Sequence, residues 1–158
     1  MQIRRAAPGD KDALIKLLIE FDKSTNDYLT EIQQQFRAYN KPLTDVVDET
    51  ADLYLSATYI NFVAEEENKL VGFSCGKIEK KELKQYNKEG YIEGWFVYPD
   101  YQKHGAGKQL FEALANALKE QGCTHLALDT HLANTKAIAI YEHLGFTKRL
   151  VTFFKLLK

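Results

Sequence analysis

The spacing of apolar and polar residues changes period several times along the chain. Residues 1–6 (MQIRRA) alternate and predict a short strand. Pro8 follows, and Asp10 is placed to cap the next element. Leu14, Leu17, Leu18 and Phe21 recur at helical spacing and predict an amphipathic helix. From Asn26 to about Thr58 the pattern is helical but weaker; Pro42 divides it, and Asp48 to Ser56 reads as a second short helix. Residues 59–80 are two β-rich runs joined by a polar turn at Glu66–Asn68, which predicts a hairpin. Tyr91 to Val97 reads as a further strand, stopped by Pro99. Beyond Gly105, the residues Leu110, Leu114, Ala117 and Leu118 mark a helix that ends at Gly122. Residues 124–130 read as a strand. Residues 134–145 read as a helix, with Asn134 as its cap and Gly145 just past its end. Residues 146–158 read as a closing strand, basic on one side.

The predicted order is β-α-α-β-β-β-α-β-α-β, a mixed α/β arrangement in one domain over residues 1–158. The unit from Tyr91 to Thr130 is strand–helix–strand, so its two strands, the fourth and fifth, are expected to be parallel. A chain of 158 residues buries roughly two-thirds of its unfolded surface, enough for a core without staples. The net charge of −1 argues against a duplex-DNA partner, which calls for a concentrated basic face. Cys75 and Cys123 have no paired spacing and read as reduced thiols of a cytoplasmic protein. The first residues have no apolar signal-peptide core, and no apolar run approaches the ~20 residues of a membrane span. The four histidines and two cysteines lack metal-ligand spacing, so no metal is expected.

Chemistry concentrates at Asp100 to Leu110, where glycines and lysines open a helix. A helix start of this kind suits a phosphate. A Walker loop calls for glycine at 102 and Ser or Thr at 109; both positions are glutamine. A dinucleotide fingerprint calls for glycine at 110, which is Leu110.

The pattern Gln102-Lys103-His104-Gly105-Ala106-Gly107, preceded by Val97-Tyr98-Pro99, resembles the acyl-coenzyme A loop of the GNAT family of N-acetyltransferases. A second segment resembles the same family at Asn134, Ala137, Tyr141, Gly145 and Phe146. The order of elements matches throughout the chain. Many members have arginine where this chain has Gln102. The resemblance implies an acyl-CoA N-acyltransferase fold, a mixed central sheet flanked by helices, with the parallel fourth and fifth strands splayed apart. It implies acetyl-CoA as co-substrate. The loop from Gln102 through Lys103, His104, Gly105, Ala106 and Gly107 to Lys108 would hold the diphosphate, with Lys103 and Lys108 adding charge. The strand at Trp95, Phe96 and Val97 would offer amides to the cofactor arm and the thioester carbonyl. Asn134 and Ala137 would lie along that arm, although Asn134 as a helix cap alone fits the same letters. A bulge in the strand is expected near Gly94.

The implied reaction is direct attack of a neutral amine on the thioester in a ternary complex. An alkylamine titrates near ~10.4, so about 4.6 kcal/mol separates it at pH 7 from its reactive form, and a general base lessens that cost. Glu93 is the candidate base, directly or through water; a carboxylate in an apolar strand is costly unless used or paired. A carboxylate that only binds the acceptor's charge fits as well. Tyr141 matches the family tyrosine that donates to the leaving sulfur; a core tyrosine is the bland alternative.

Asp129 and His131 end the strand opposite Glu93 and, with Tyr28, are candidates for acceptor contact. Seven acids and no Lys or Arg lie between Pro42 and Asn68, either an acidic wall for a cationic acceptor or a solvated helix face. The strand around Glu93 also resembles aminoglycoside 6'-N-acetyltransferases and polyamine-type members. The expected partner is a small-molecule amine, with a peptide amine or a non-catalytic acyl-CoA-binding module as alternatives. The apolar last strand suits a homodimer, and a core strand carries the same letters.

Overall fold

The computed structural model describes residues 1–157. Strand β1 (Gln2–Arg5) leads into three helices, α1 (Lys11–Asn26), α2 (Glu31–Arg37) and α3 (Leu43–Leu55). Strands β2 (Tyr59–Glu66), β3 (Lys69–Lys80) and β4 (Lys88–Val97) follow, then α4 (Ala106–Glu120), β5 (His125–Leu128) and α5 (Thr135–His143). The five strands lie in sequence order, all antiparallel except the β4–β5 pair. That pair is joined by α4, as a parallel crossover requires. The β2–β3 hairpin closes through Glu67 and Asn68, both with positive φ, which a two-residue turn matched to the strand twist demands.

Alternation along the strands sends side chains to two cores. Val63 of β2 and Leu70, Phe73 and Cys75 of β3 meet Leu14, Leu17 and Leu18 of α1 and Val47, Ala51 and Tyr54 of α3. Ala64 and Val71, one step out of phase, face the other way with Ile92 and Val97 against Ala106, Leu110, Leu114 and Leu118 of α4. Among the described residues no helix is long and apolar enough to cross a membrane, and no group of three or more His, Cys, Asp or Glu could hold a metal ion.

Three expectations need correction. The weak helical stretch after Asn26 holds a separate helix, α2, and α3 begins at Leu43 rather than Asp48. Thr30 starts α2: its backbone N–H and hydroxyl both donate to Gln33 Oε1. Asp10 does not cap α1 with its side chain; its carboxylate accepts the Ala7 N–H and two Arg4 N–H bonds. The predicted last strand is absent, since residues 147–157 join no ladder. An apolar extended segment is a strand only when it finds a partner edge. This one lies with Phe153 90% and Leu157 89% exposed, its Phe154 stacked on Phe36 of α2 at 5.0 Å.

Candidate functional site

The site begins where the sheet comes apart. β5 pairs with β4 from Glu89–His125 to Ile92–Leu128 and then ends, while β4 runs on to Val97. The Tyr98 N–H donates to the Val71 carbonyl on the β3 side. By strand alternation Phe96 also bonds toward β3, and the main-chain groups of Trp95 and Val97 point the other way, past the end of β5. The main-chain groups of Trp95 and Val97 therefore lie off the β3 ladder, whereas those of Phe96 face β3. The Phe96 ring lies instead among Phe21 and Tyr98 in the α1–α3 core.

Beside this edge stands the glycine loop. Lys103 has φ 68° and Gly105 φ 84°, so the chain turns twice through the left-handed region before α4 starts. Glycine meets that demand at 105 without strain. The first-turn N–H groups of α4 open in this direction with their partial positive charge. Ala106 is buried beneath the loop, while Lys103, His104 and Lys108 are exposed, Lys108 3.7 Å from Glu112. Trp95 fastens loop to strand: its indole N–H donates to the Gly107 carbonyl at 3.0 Å, and its ring stacks on Phe111. Gln102 spans the gap between loop and α5. Its Nε2 donates to the Val97 carbonyl at 2.9 Å, and its Oε1 accepts from Lys136 Nζ at 3.0 Å.

The start of α5 faces the loop across the opening. Asn134 Oδ1 accepts the Ala137 N–H at 3.1 Å, so it is the helix cap, and its Nδ2 donates to the Tyr28 hydroxyl at 3.2 Å. Tyr28 follows the end of α1, so this bond closes the opening from the α1 side. Tyr141 sits one helical stretch further along, its ring 6.0 Å from Trp95 and 6.1 Å from Phe146. Burial, then the neighbouring Tyr28, raises its hydroxyl above the ordinary tyrosine value, which keeps the proton on.

On the opposite side of the strand lies Glu93. The β3–β4 register runs from Gly76–Ile92 to Cys75–Gly94, leaving Glu93 as the extra residue of a bulge. Glu93 and Gly94 consequently both turn toward the α1–α3 side. A Cβ at Gly94 would lie 2.7 Å from Phe73 Cε2, so any larger residue there must displace that ring or the strand. Glu93 Oε1 accepts from Lys77 Nζ at 3.1 Å; its Oε2 is buried with no hydrogen-bond partner among the described residues. Burial, then the nearby Glu93 carboxylate, pushes the Tyr59 hydroxyl up to about 12. Burial also raises Tyr91, whose hydroxyl donates to Asp129 Oδ2 at 2.7 Å.

The remaining predicted acceptor residues border this region. Asp129 is exposed at the end of β5 and bound by Tyr91. His131 lies 6.2 Å from the Tyr28 ring, and burial, then Arg37, lowers its ring below the ordinary histidine value. Arg37 of α2 donates to Asp22 and Asn26, where a cavity of about 220 Å³ is lined by those residues with Gln34, Tyr39 and Leu43. The acids of α3 face outward. Asp48 and Asp52 share Lys11, and Glu49 pairs with Lys41, so two lysines offset part of the charge of this solvated face.

Sequence reasoning missed Lys77, Tyr59 and Tyr91, which form one row across three strands, and Lys136 and Arg37. Tyr91 could have been found from its i,i+2 spacing to Glu93; the cross-strand partners depend on register.

The comparisons agree with this geometry. The sequence profile of the Acetyltransferase (GNAT) family matches residues 25–146. The aminoglycoside N(6')-acetyltransferase type 1 of Stenotrophomonas maltophilia is 26% identical over 155 residues, 96% of this chain and 90% of that protein. The [ribosomal protein bS18]-alanine N-acetyltransferase of Escherichia coli (strain K12) is 32% identical over 93 residues, 59% of this chain and only 58% of that protein's length. Among solved structures, the aminoglycoside N-acetyltransferase AAC(6')-Iy in complex with CoA superposes with a TM-score of 0.77 at 21% identity, covering 98% of this chain and 93% of that one. A splayed sheet, a glycine loop opening a helix beside it and a family profile over most of the length lead to one conclusion: the chain belongs to the GNAT acetyltransferase family.

Proposed function

We propose that the protein is an acetyl-CoA-dependent N-acetyltransferase acting on a primary amine of a small cationic molecule. One observation carries the reading: the main-chain edge at Trp95 and Val97, which β5 no longer pairs, has a phosphate-suited loop at one end and the Glu93 carboxylate on its other side. The acetyl-CoA thioester supplies the activated acetyl group. The N–H groups at the start of α4, with Lys103 and Lys136 nearby, suit its diphosphate. The edge amides of Trp95 and Val97 suit the arm and the carbonyl oxygen, whose charge grows during acyl transfer. Glu93 takes a proton from the incoming ammonium, directly or through water. The Tyr141 hydroxyl, kept protonated by burial, returns one to the departing sulfur.

The likeness to aminoglycoside acetyltransferases supports a small cationic acceptor. The alanine N-acetyltransferase relative favours a second reading, a peptide amine. Lys11 and Lys41 offset part of the acidic charge of α3, which leaves that reading open. The exposed apolar tail suits a second copy of the chain, which the mass measured by sedimentation at two protein concentrations would reveal or refute.

The test is thiol release from acetyl-CoA across a panel of alkylamines, polyamines, aminoglycosides and short peptides. Turnover with a small amine supports the first reading and turnover with peptides alone the second. Binding of acetyl-CoA with no turnover for any amine would make the chain a non-catalytic binding module.

A further inference from the structure

The Glu93 carboxylate already holds an ammonium, and it belongs to the protein. Lys77 on β3 lies directly across from Tyr59 on β2 and from Tyr91 on β4. Its Nζ is 3.1 Å from Glu93 Oε1, 5.9 Å from the Tyr59 ring centroid and 5.5 Å from that of Tyr91. Both rings are within the reach of a cation–π contact. Glu79 Oε1, two residues along the same strand face, is 3.7 Å away. Tyr54 of α3 and Asp129 beyond β5 complete the surroundings, the second through Tyr91. Two carboxylates and two aromatic rings form a receptor for an alkylammonium, and the unpartnered Glu93 Oε2 leaves acceptor capacity unused.

We propose that Lys77 is a tethered stand-in for the acceptor: its ammonium occupies the subsite that the acceptor's ammonium takes, and an acceptor enters by displacing Lys77 toward Glu79. This rests on Glu93 facing the acceptor, as read above. When displaced, Lys77 retains Glu79 Oε1 as a charged partner, while Lys81 holds Glu79 Oε2 at 2.6 Å. A subsite filled by a lysine side chain admits an unbranched aminoalkyl arm. The substrate class is therefore primary amines carried on slim, unbranched alkyl chains. Lys77 acts as a positioning residue that sets acceptor affinity.

The test uses the full chain and n-butylamine as probe, with binding followed by calorimetry in the absence of acetyl-CoA. Lys77→Ala vacates the subsite and is expected to bind n-butylammonium about ten-fold tighter than the parent protein, while Lys77→Arg gains nothing. In turnover, the gain appears in KM for unbranched amines and not for tert-butylamine. Lys77→Gln, which removes the charge and keeps most of the stem, carries the same direction if the alanine variant folds poorly. Equal or weaker binding by both neutral variants overturns the proposal. Should Glu93→Gln retain full n-butylammonium affinity, the assignment of Glu93 to the acceptor side fails instead, so the two failures are separable.

Discussion

The Trp95 indole N–H is bonded to the Gly107 carbonyl at 3.0 Å, which ties the open edge of β4 to the first turn of α4. Strand edge and helix start are the two halves of the proposed cofactor site, and this bond sets the distance between them. Trp95→Phe removes the bond and keeps an aromatic ring against Phe111. One net hydrogen bond contributes about 1 kcal/mol, so CoA affinity is expected to fall about five-fold with little change in Tm. Calorimetric titration with CoA beside a thermal melt separates the two effects. An unchanged Kd would mean that the tie does not position the loop.

Tyr141 is expected to matter for turnover rather than for binding. Its hydroxyl is raised above the ordinary value of 10.0, chiefly by burial. A donor with a raised value holds its proton at every pH below that value and loses it only above, so no alkaline loss of the donor is expected up to about pH 10. Tyr141→Phe keeps the ring between Trp95 and Phe146 and removes the proton. A fall in kcat of about a hundred-fold is expected with CoA affinity preserved, the scale of a general acid. Equal kcat for parent and variant would take Tyr141 out of that role.

Gly94 follows Glu93 in the bulge that turns both residues toward the α1–α3 side. Its missing side chain accommodates the Phe73 ring, which a Cβ would meet at 2.7 Å. Gly94→Ala must therefore move either the fully buried Phe73 or the strand. A loss of about 1–3 kcal/mol is expected from overpacking, with a drop in activity larger than the stability loss explains. Denaturant unfolding together with steady-state rates checks both. Unaltered stability would show that Phe73 yields freely.

Local features of the fold were legible in the chain: the caps at Asn134 and Gly145, the glycine loop, and a strand–helix–strand unit whose parallel pair diverges. The bulge was expected from the family resemblance alone, and the strand's glycine, Gly94, was a suitable place for it. Lys77 was not legible, since it reaches Glu93 only through the register of two strands sixteen residues apart in sequence. The helix α2 was hidden because its seven residues bury no side chain and carry only the single apolar pair Ile32 and Phe36. The tail misled for the opposite reason. Its apolar letters suit a strand, but a strand is defined by its neighbour, and Phe154 found Phe36 instead. The partners of the α3 acids, Lys11 and Lys41, were not legible either, because only the fold brings Lys11 of α1 beside Asp48 and Asp52.

Arg4 and Asp10 couple the first strand to the turn before α1, and the pair predicts how stability follows pH. Arg4 donates to both Asp10 oxygens at 2.8 and 2.9 Å, and the Ala7 N–H adds a third bond at 2.7 Å. The Arg4 bonds are the largest cause holding the Asp10 carboxyl below its ordinary value of 3.8. A depressed carboxyl stabilises the fold above the unfolded-state value. That contribution fades as pH falls below 3.8 toward the lower folded-state value and is gone beneath it. Asp10→Asn is therefore expected to cost about 1–2 kcal/mol at pH 7, after allowance for the part of Arg4 that remains in solvent. The gap between parent and variant should narrow steadily below pH 4. Urea unfolding at pH 7, 4 and 3 measures it, and a gap that stays constant across that range would show that the charge on Asp10 contributes nothing beyond its shape.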